Sequence, residues 1–292
     1  MTPNPDLASI VLSLSPLESQ PAEPGKMLPR WWGRAAHAMF LETIREQDSA
    51  LARSLHDEKQ TPKSFTASTL MGSGANKKLD PKHEYTLRFT TFDEPVTACL
   101  LAAIRSGGNL SAGSIIELDY IPLRISAVYT TRKEHPWAGV TSYQELSSPY
   151  LLAKTDPDRR FRLLFASPVT FKTAGKYFPF PSPSLTYNSL LNRWNTYAPV
   201  SLPPEVREFA ESCLAVSRYR LATRSVPVKS GGFRSGCTGE IQYTATRYDR
   251  YWLSLITLLT TYTLFTGLGA GTGMGMGQTR MLESTASPRK EA

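Results

Sequence analysis

Cysteine is scarce in this chain of 292 residues: Cys99, Cys213 and Cys237 are odd in number, far apart and never in a CxxC pair. That count and spacing support neither a disulfide framework nor a zinc knuckle. Long apolar runs are missing too. The longest, Tyr251 to Phe265, is interrupted by Ser and Thr and falls short of the ~20 residues that span a bilayer. The opening MTPNPDLASI lacks the basic start of a signal peptide. A reducing cytoplasm, with no membrane involved, is the expected setting. Asp and Glu are scattered rather than clustered, which disfavours two-metal chemistry, and no GxSxG elbow presents a serine nucleophile. No metal and no cofactor are expected.

What is present is an ordinary globular composition, 41% hydrophobic and 20% charged, with a formal charge of +8. The charge is unevenly placed. Residues 1–150 carry 15 basic and 16 acidic side chains, and residues 151–292 carry 18 and 9. The whole excess therefore sits in the second half, as expected of a half that meets a polyanion, although a generic basic surface has the same signature.

The first half reads β-α-β-β-α-β. Leu7–Leu14 is β-branched and apolar, and Trp31–Gln47 has helical spacing at Trp32, Ala36, Met39, Phe40, Thr43 and Ile44. Ser64–Met71 and Tyr85–Phe92 read as strands. Asp93 and Pro95 open a helix that runs to about Arg105, and Ile115–Tyr129 supplies a last strand. The second half repeats the order: a strand at Phe161–Phe171 with Pro168 marking an edge or bulge, helices at Ser184–Trp194 and Glu205–Cys213, strands at Tyr219–Val228 and Gly239–Ala245, the apolar helix Tyr251–Phe265, and a short strand at Gln278–Leu282. The fold class is α+β, two ferredoxin-like units in tandem. The expected domains are 1–140 and 155–283, with Arg132–Asp158 as linker and insertion and a disordered tail from Glu283.

The sharpest local feature is the run Gly267, Gly269, Gly271, Gly273, Gly275 and Gly277, a glycine at every odd position after the apolar helix. Dinucleotide and Walker loops need glycines five apart, which strict alternation forbids. Two readings remain: a flexible linker, or a side-chain-poor loop whose N–H groups approach a phosphate chain. His37 lies inside the first helix, where it is either a structural residue at the border of an apolar face or a neutral-pH acid or base. His56 closes a second helix, where a C-terminal dipole accounts for it. His83 and His135 fall in expected loops. Basic residues interleave with aromatics at Lys172, Lys176 and Arg193, and again at Arg218, Arg220, Arg224, Lys229 and Arg234. That mix suits single-stranded or hairpin RNA, though each aromatic alone fits a core equally well. A nuclease built from these residues would work without metal. The RNA 2′-hydroxyl would attack its own phosphate while a histidine moves protons.

Phe171–Asn195, the GCTGEIQY of 236–243 and above all the TGLGAGTGMGMGQTR of 266–280 resemble the CRISPR-associated endoribonucleases that mature guide RNA, the sixth Cas family of the RAMP superfamily. AAHAMFLETI, SLHDEK and FTASTLMG are similar to that family's N-terminal region. The resemblance implies tandem ferredoxin-like domains, binding of CRISPR repeat RNA, and metal-independent cleavage to a 5′-hydroxyl and a 2′,3′-cyclic phosphate. It also implies that His37 is catalytic and that Gly267–Gly277 and Arg280 contact RNA. Two positions depart from the family's pattern. Ala270 and Gly271 stand where many relatives keep a basic residue, leaving Arg280 as the nearest cation along the chain. No tyrosine shares the helix of His37, so a partner residue must come from elsewhere. A non-catalytic RNA-binding subunit, assembled with other CRISPR effector subunits, would use the same fold and loop. A generic RNA-recognition module is disfavoured by the absence of its strand motif.

Overall fold

The computed structural model describes residues 4–20, 27–57, 62–73, 78–152, 156–228 and 231–283. The expected tail beyond Glu283 and the candidate Lys229 lie outside them. The first sheet grows on β1 (Leu7–Pro16), which pairs antiparallel with β3 (Tyr85–Thr91) on one side and β5 (Ile121–Tyr129) on the other. With β2 (Phe65–Ala67) and β4 (Ile115–Leu118) the order is β2-β3-β1-β5-β4. Ile10, Leu12 and Leu14 share one face, because strand side chains alternate. That face is covered by α1 (Gly33–Gln47) and α3 (Glu94–Ala103), with α2 (Ser49–Asp57) beside α1. Phe40 of α1 stacks on Phe65 of β2 at 4.2 Å.

The expected single strand over Ile115–Tyr129 is a hairpin. Asp119 and Tyr120 turn it with positive φ at both positions, a tight turn without the glycine that usually announces one. The expected linker also carries structure. Strand β6 (Gly139–Thr141) pairs with β1, and α4 (Tyr143–Leu151), closed at its start by a Ser142–Glu145 capping box, packs against the second half.

The second sheet has the order β10-β11-β7-β12, formed by β7 (Arg160–Val169), β10 (Leu214–Pro227), β11 (Phe233–Ala245) and β12 (Thr279–Leu282). The first strand of each half thus lies between its third and its last, and both halves are ferredoxin-like. Between β7 and β10 the chain forms a small hairpin, β8 (Phe171–Thr173) and β9 (Lys176–Phe178), then α5 (Pro183–Tyr197) and α6 (Val206–Cys213). Pro168 lies in an interior strand and is accommodated by a bulge: Phe165 and Val169 of β7 oppose Gly239 and Cys237 of β11. Strands β10 and β11 both begin several residues before their apolar alternation does, forming a long exposed hairpin.

Helix α7 (Arg250–Thr266) is apolar around most of its circumference because it touches both halves. Its core joins Leu255, Leu259 and Tyr262 to Leu7, Phe92 and Tyr143 from the first half. Arg88 of β3 crosses the same boundary. Its Nε donates to Gln278 Oε1 at 2.8 Å, its Nη1 to the Leu264 carbonyl at 3.1 Å, and its guanidinium lies over Trp137 at 4.6 Å. Burial lowers its pKa to about 9. No helix among the described residues is long and apolar enough to cross a membrane.

Candidate RNA-binding cleft

The glycine run leaves α7, turns through a single 3-10 turn at Thr272–Met274 and enters β12. It is anchored from below. Leu268 N–H donates to the Gly277 carbonyl at 2.8 Å, and Ala270 N–H to the Thr170 carbonyl at 2.7 Å. Arg193 of α5 is buried under the loop, donating from Nη2 to the Gly269 carbonyl at 2.6 Å and from Nη1 to Ser189 Oγ at 2.7 Å. Burial brings the Arg193 pKa down to about 10. Two glycines show why side chains are excluded. Gly269 has φ +77°, and a Cβ there would stand 2.2 Å from the Thr170 carbonyl oxygen; a Cβ on Gly275 would meet the Trp31 ring at 2.8 Å. The run is an ordered loop built against three elements, which disposes of the linker reading.

The tip of the loop docks on the start of α1 in the other half. Trp31 Nε1 donates to the Met274 carbonyl at 2.7 Å, and His37 Nδ1 lies 2.9 Å from the Gly273 carbonyl oxygen. A carbonyl only accepts, so the Nδ1 of His37 carries the proton and a neutral ring keeps its Nε2 lone pair free. The ring is half-buried and stacks on Phe65. Desolvation holds its pKa below the ordinary 6.5; the Gly273 bond opposes that shift, while Lys63 and His56 add to it. Near neutral pH the imidazole is therefore an unprotonated base.

His37 and the loop face a cleft of roughly 690 Å³ whose other walls include Lys63, Lys172, Asn188 and Asn192. No Asp or Glu is among its described lining residues. The N–H groups of Gly271, Thr272 and Gly273, at the mouth of the 3-10 turn, make no hydrogen bond to another described residue. Three free donors in succession beside two lysines favour an anion. Among the described residues no three His, Cys, Asp or Glu side chains gather as a metal site.

The candidate residues fall into four groups. His37, Lys172, Arg193, Gly269, Gly271 and Gly273 line the cleft, Arg193 through a guanidinium already engaged by the loop, whereas Gly267, Gly275 and Gly277 are buried behind it. Arg234 reaches the loop from β11: its guanidinium lies over Tyr177 at 4.2 Å, and its Nη1 is 3.3 Å from where a Gly271 Cβ would stand. Arg193 and Arg234 thus both reach the loop from other elements. Lys176, Arg218 and Arg220 are exposed on the hairpins β8–β9 and β10–β11, outside the cleft lining. Arg280 stands apart, over Trp137 at 5.3 Å beside Arg88. Sequence reasoning missed Lys63 and Trp31. Lys63 belongs to no periodic element or motif, and Trp31 reads from the sequence only as the start of a helix that in fact begins at Gly33; the place of both emerges only when the loop folds onto α1.

Comparison with known proteins agrees along most of the chain. The family model for the CRISPR Cas6 N-terminal domain matches residues 8–101, and that for CRISPR-associated endoribonuclease Cas6 matches residues 163–279. A Cas6 of Mycobacterium tuberculosis is 32% identical over 126 residues, 42% of this chain and 39% of the relative. One of Streptococcus thermophilus is 29% identical over 150 residues, 48% of this chain and 59% of the relative. The matched part thus spans less than two thirds of either curated relative. A solved Cas6 product complex from Thermus thermophilus superposes with a TM-score of 0.73 at 28% identity, covering 94% of this chain and 99% of the other. The chain belongs to the CRISPR-associated endoribonuclease Cas6 family.

Proposed function

We propose that the chain binds CRISPR repeat RNA in the cleft between α1 and the glycine loop and cuts it there without a metal ion. In this reading His37 Nε2 takes the proton of the 2′-hydroxyl 5′ of the scissile phosphate. The O2′–P bond forms, the P–O5′ bond breaks, and the leaving O5′ takes up a proton. The products are a 2′,3′-cyclic phosphate and a 5′-hydroxyl. The N–H groups of Gly271, Thr272 and Gly273 hold the non-bridging oxygens, and Lys63 supplies positive charge where the transition state gains negative charge. Lys172, Lys176, Arg218, Arg220 and Arg234 follow the RNA strand, and Arg193 fixes the loop.

The observation that carries this reading is the contact between His37 Nδ1 and the Gly273 carbonyl, 2.9 Å long. It orients the ring and selects the tautomer with a free Nε2. No carboxylate stands among the described lining residues, which supports a mechanism that does not rely on a divalent cation.

The test is incubation with the cognate repeat RNA in EDTA, beside a substrate with a 2′-deoxy nucleotide 5′ of the cut. Cleavage of the ribose substrate alone, ending in a cyclic phosphate, is expected. Cutting of the deoxy substrate, or a requirement for added metal, would overturn the mechanism. Tight binding with no cut would make the chain an RNA-binding component.

A further inference from the structure

Four aromatic side chains beside the cleft are exposed although burial of each would contribute about 1.5–3 kcal/mol. Tyr177 and Phe178 lie on β9, Phe180 follows it, and Tyr219 stands on β10; they are 43%, 45%, 37% and 63% exposed. Phe180 and Tyr219 form a patch, meeting edge to face at 6.1 Å, and Tyr177 lies three residues before Phe180 on the same segment. Phe178, next to Tyr177 on β9, points to the opposite face of the strand. The edge-to-face pair leaves each of these two rings at least one face free of the other. Tyr177 is held by Arg234, which also reaches Gly271, so the patch continues directly from the glycine loop.

The surroundings decide the occupant. No Asp or Glu occurs from Phe171 to Ser182 or from Leu214 to Gly239. Lys172 pairs across the strand with Tyr177, and Arg218 and Arg220 flank Tyr219 along the chain. Glu240, opposite Arg220 across the strands, is engaged by Arg162 at 3.0 Å, so cations dominate around the rings. Ring faces for bases with cations for the backbone are the two requirements of single-stranded nucleic acid. Bases inside a duplex have their faces already stacked, and A-form helices are recognised instead by shape and backbone.

We infer that Tyr177, Phe180 and Tyr219 form a stacking platform for unpaired nucleobases of the RNA strand as it leaves the glycine-loop cleft. The inference rests on the proposed cleft and specifies which part of its substrate is single-stranded. Stacking reads ring faces rather than base edges, so the platform holds the strand with little sequence preference.

The experiment uses full-length protein carrying His37→Ala, so that bound RNA stays whole. The repeat RNA carries 2-aminopurine at one unpaired position at a time on either side of the scissile phosphate. Fluorescence quenching is expected at one or two adjacent positions. Tyr219→Ala and Phe180→Ala should abolish it and weaken binding about ten- to hundredfold each, while Tyr219→Trp and Phe180→Trp retain both. Tyr120→Ala, an exposed aromatic on the β4–β5 turn, should change nothing. In the His37 background the aromatic substitutions should raise KM with kcat unaltered. Unchanged affinity and quenching in the alanine variants would overturn the platform and leave the proposed cleavage standing. Equal loss of affinity for a blunt duplex without unpaired nucleotides would overturn the assignment to unpaired bases. Failure of the cleavage proposal would appear separately, as binding without cutting by the His37 protein.

Discussion

Gly269→Ala and Gly273→Ala add the same methyl group to the same loop, four residues apart, and should differ sharply. At Gly269 the backbone has φ +77°, which costs an alanine about 1–2 kcal/mol. The new Cβ would also stand 2.2 Å from the Thr170 carbonyl oxygen, and relieving such overpacking costs about 1–3 kcal/mol. Together the loss is about 2–5 kcal/mol. Movement there also strains two anchors, Ala270 N–H to the Thr170 carbonyl and Arg193 to the Gly269 carbonyl. Gly273 is not in the left-handed region, and its Cβ would lie 3.5 Å from His37 Nδ1, an ordinary contact. Its change in stability should stay within about 0.5 kcal/mol. Urea denaturation followed by the fluorescence of the five tryptophans would measure both. RNA affinity should fall with Gly269→Ala, because the free N–H groups at the loop tip move. Equal stability of the two variants would refute the claim that backbone geometry, rather than composition, demands glycine here.

The depressed pKa of His37 has a defined sign: the base form is lost on protonation, so the cleavage rate should climb with pH, inflect below 6.5 and be flat by neutrality, as single-turnover rates would show. The same depression, shared by His135, makes the folded protein bind fewer protons than the unfolded chain. Stability should therefore be complete above 6.5 and decline as pH falls below it, which denaturation midpoints at several pH values would detect. Arg88→Ala should destabilise the protein by about 2–5 kcal/mol, since it empties a buried site and removes hydrogen bonds joining the halves, whereas Arg88→Met should lose much less; urea titrations compare them. Arg193→Lys replaces a planar fork that donates from separate nitrogens to Ser189 and the Gly269 carbonyl by a shorter point charge, and should weaken RNA binding about tenfold while the far-UV spectrum is unchanged.

The ferredoxin-like order was legible because each half alternates amphipathic elements with clear boundaries. The largely apolar character of α7 announced a helix covered around most of its circumference. Strict glycine alternation left a flexible linker and a side-chain-poor loop both open, and the contacts of Gly269 and Gly275 decide between them. What escaped detection depends on tertiary neighbours. Asp119–Tyr120 makes a tight turn that neither residue advertises, and the bulge at Pro168 exists because β12 and β11 flank that strand. Residues 132–158 lack strong periodicity, yet β1 gives β6 a partner and α7 gives α4 one. Arg193 reads as one more cation in a basic stretch until burial assigns its guanidinium to the loop. His37 was visible as an imidazole on a helix. The carbonyl that fixes its tautomer comes from 236 residues further along the chain, a separation that local pattern does not encode.

Single-turnover cleavage of the cognate repeat RNA by His37→Ala, with Kd measured alongside, tests the central claim most directly. Loss of a positioned acid or base should slow the chemical step by about 10²–10⁴, while Kd stays near the wild-type value because the glycine loop and the cations are intact. Cleavage at the wild-type rate by the substituted protein would contradict the account and place the proton transfer elsewhere in the cleft.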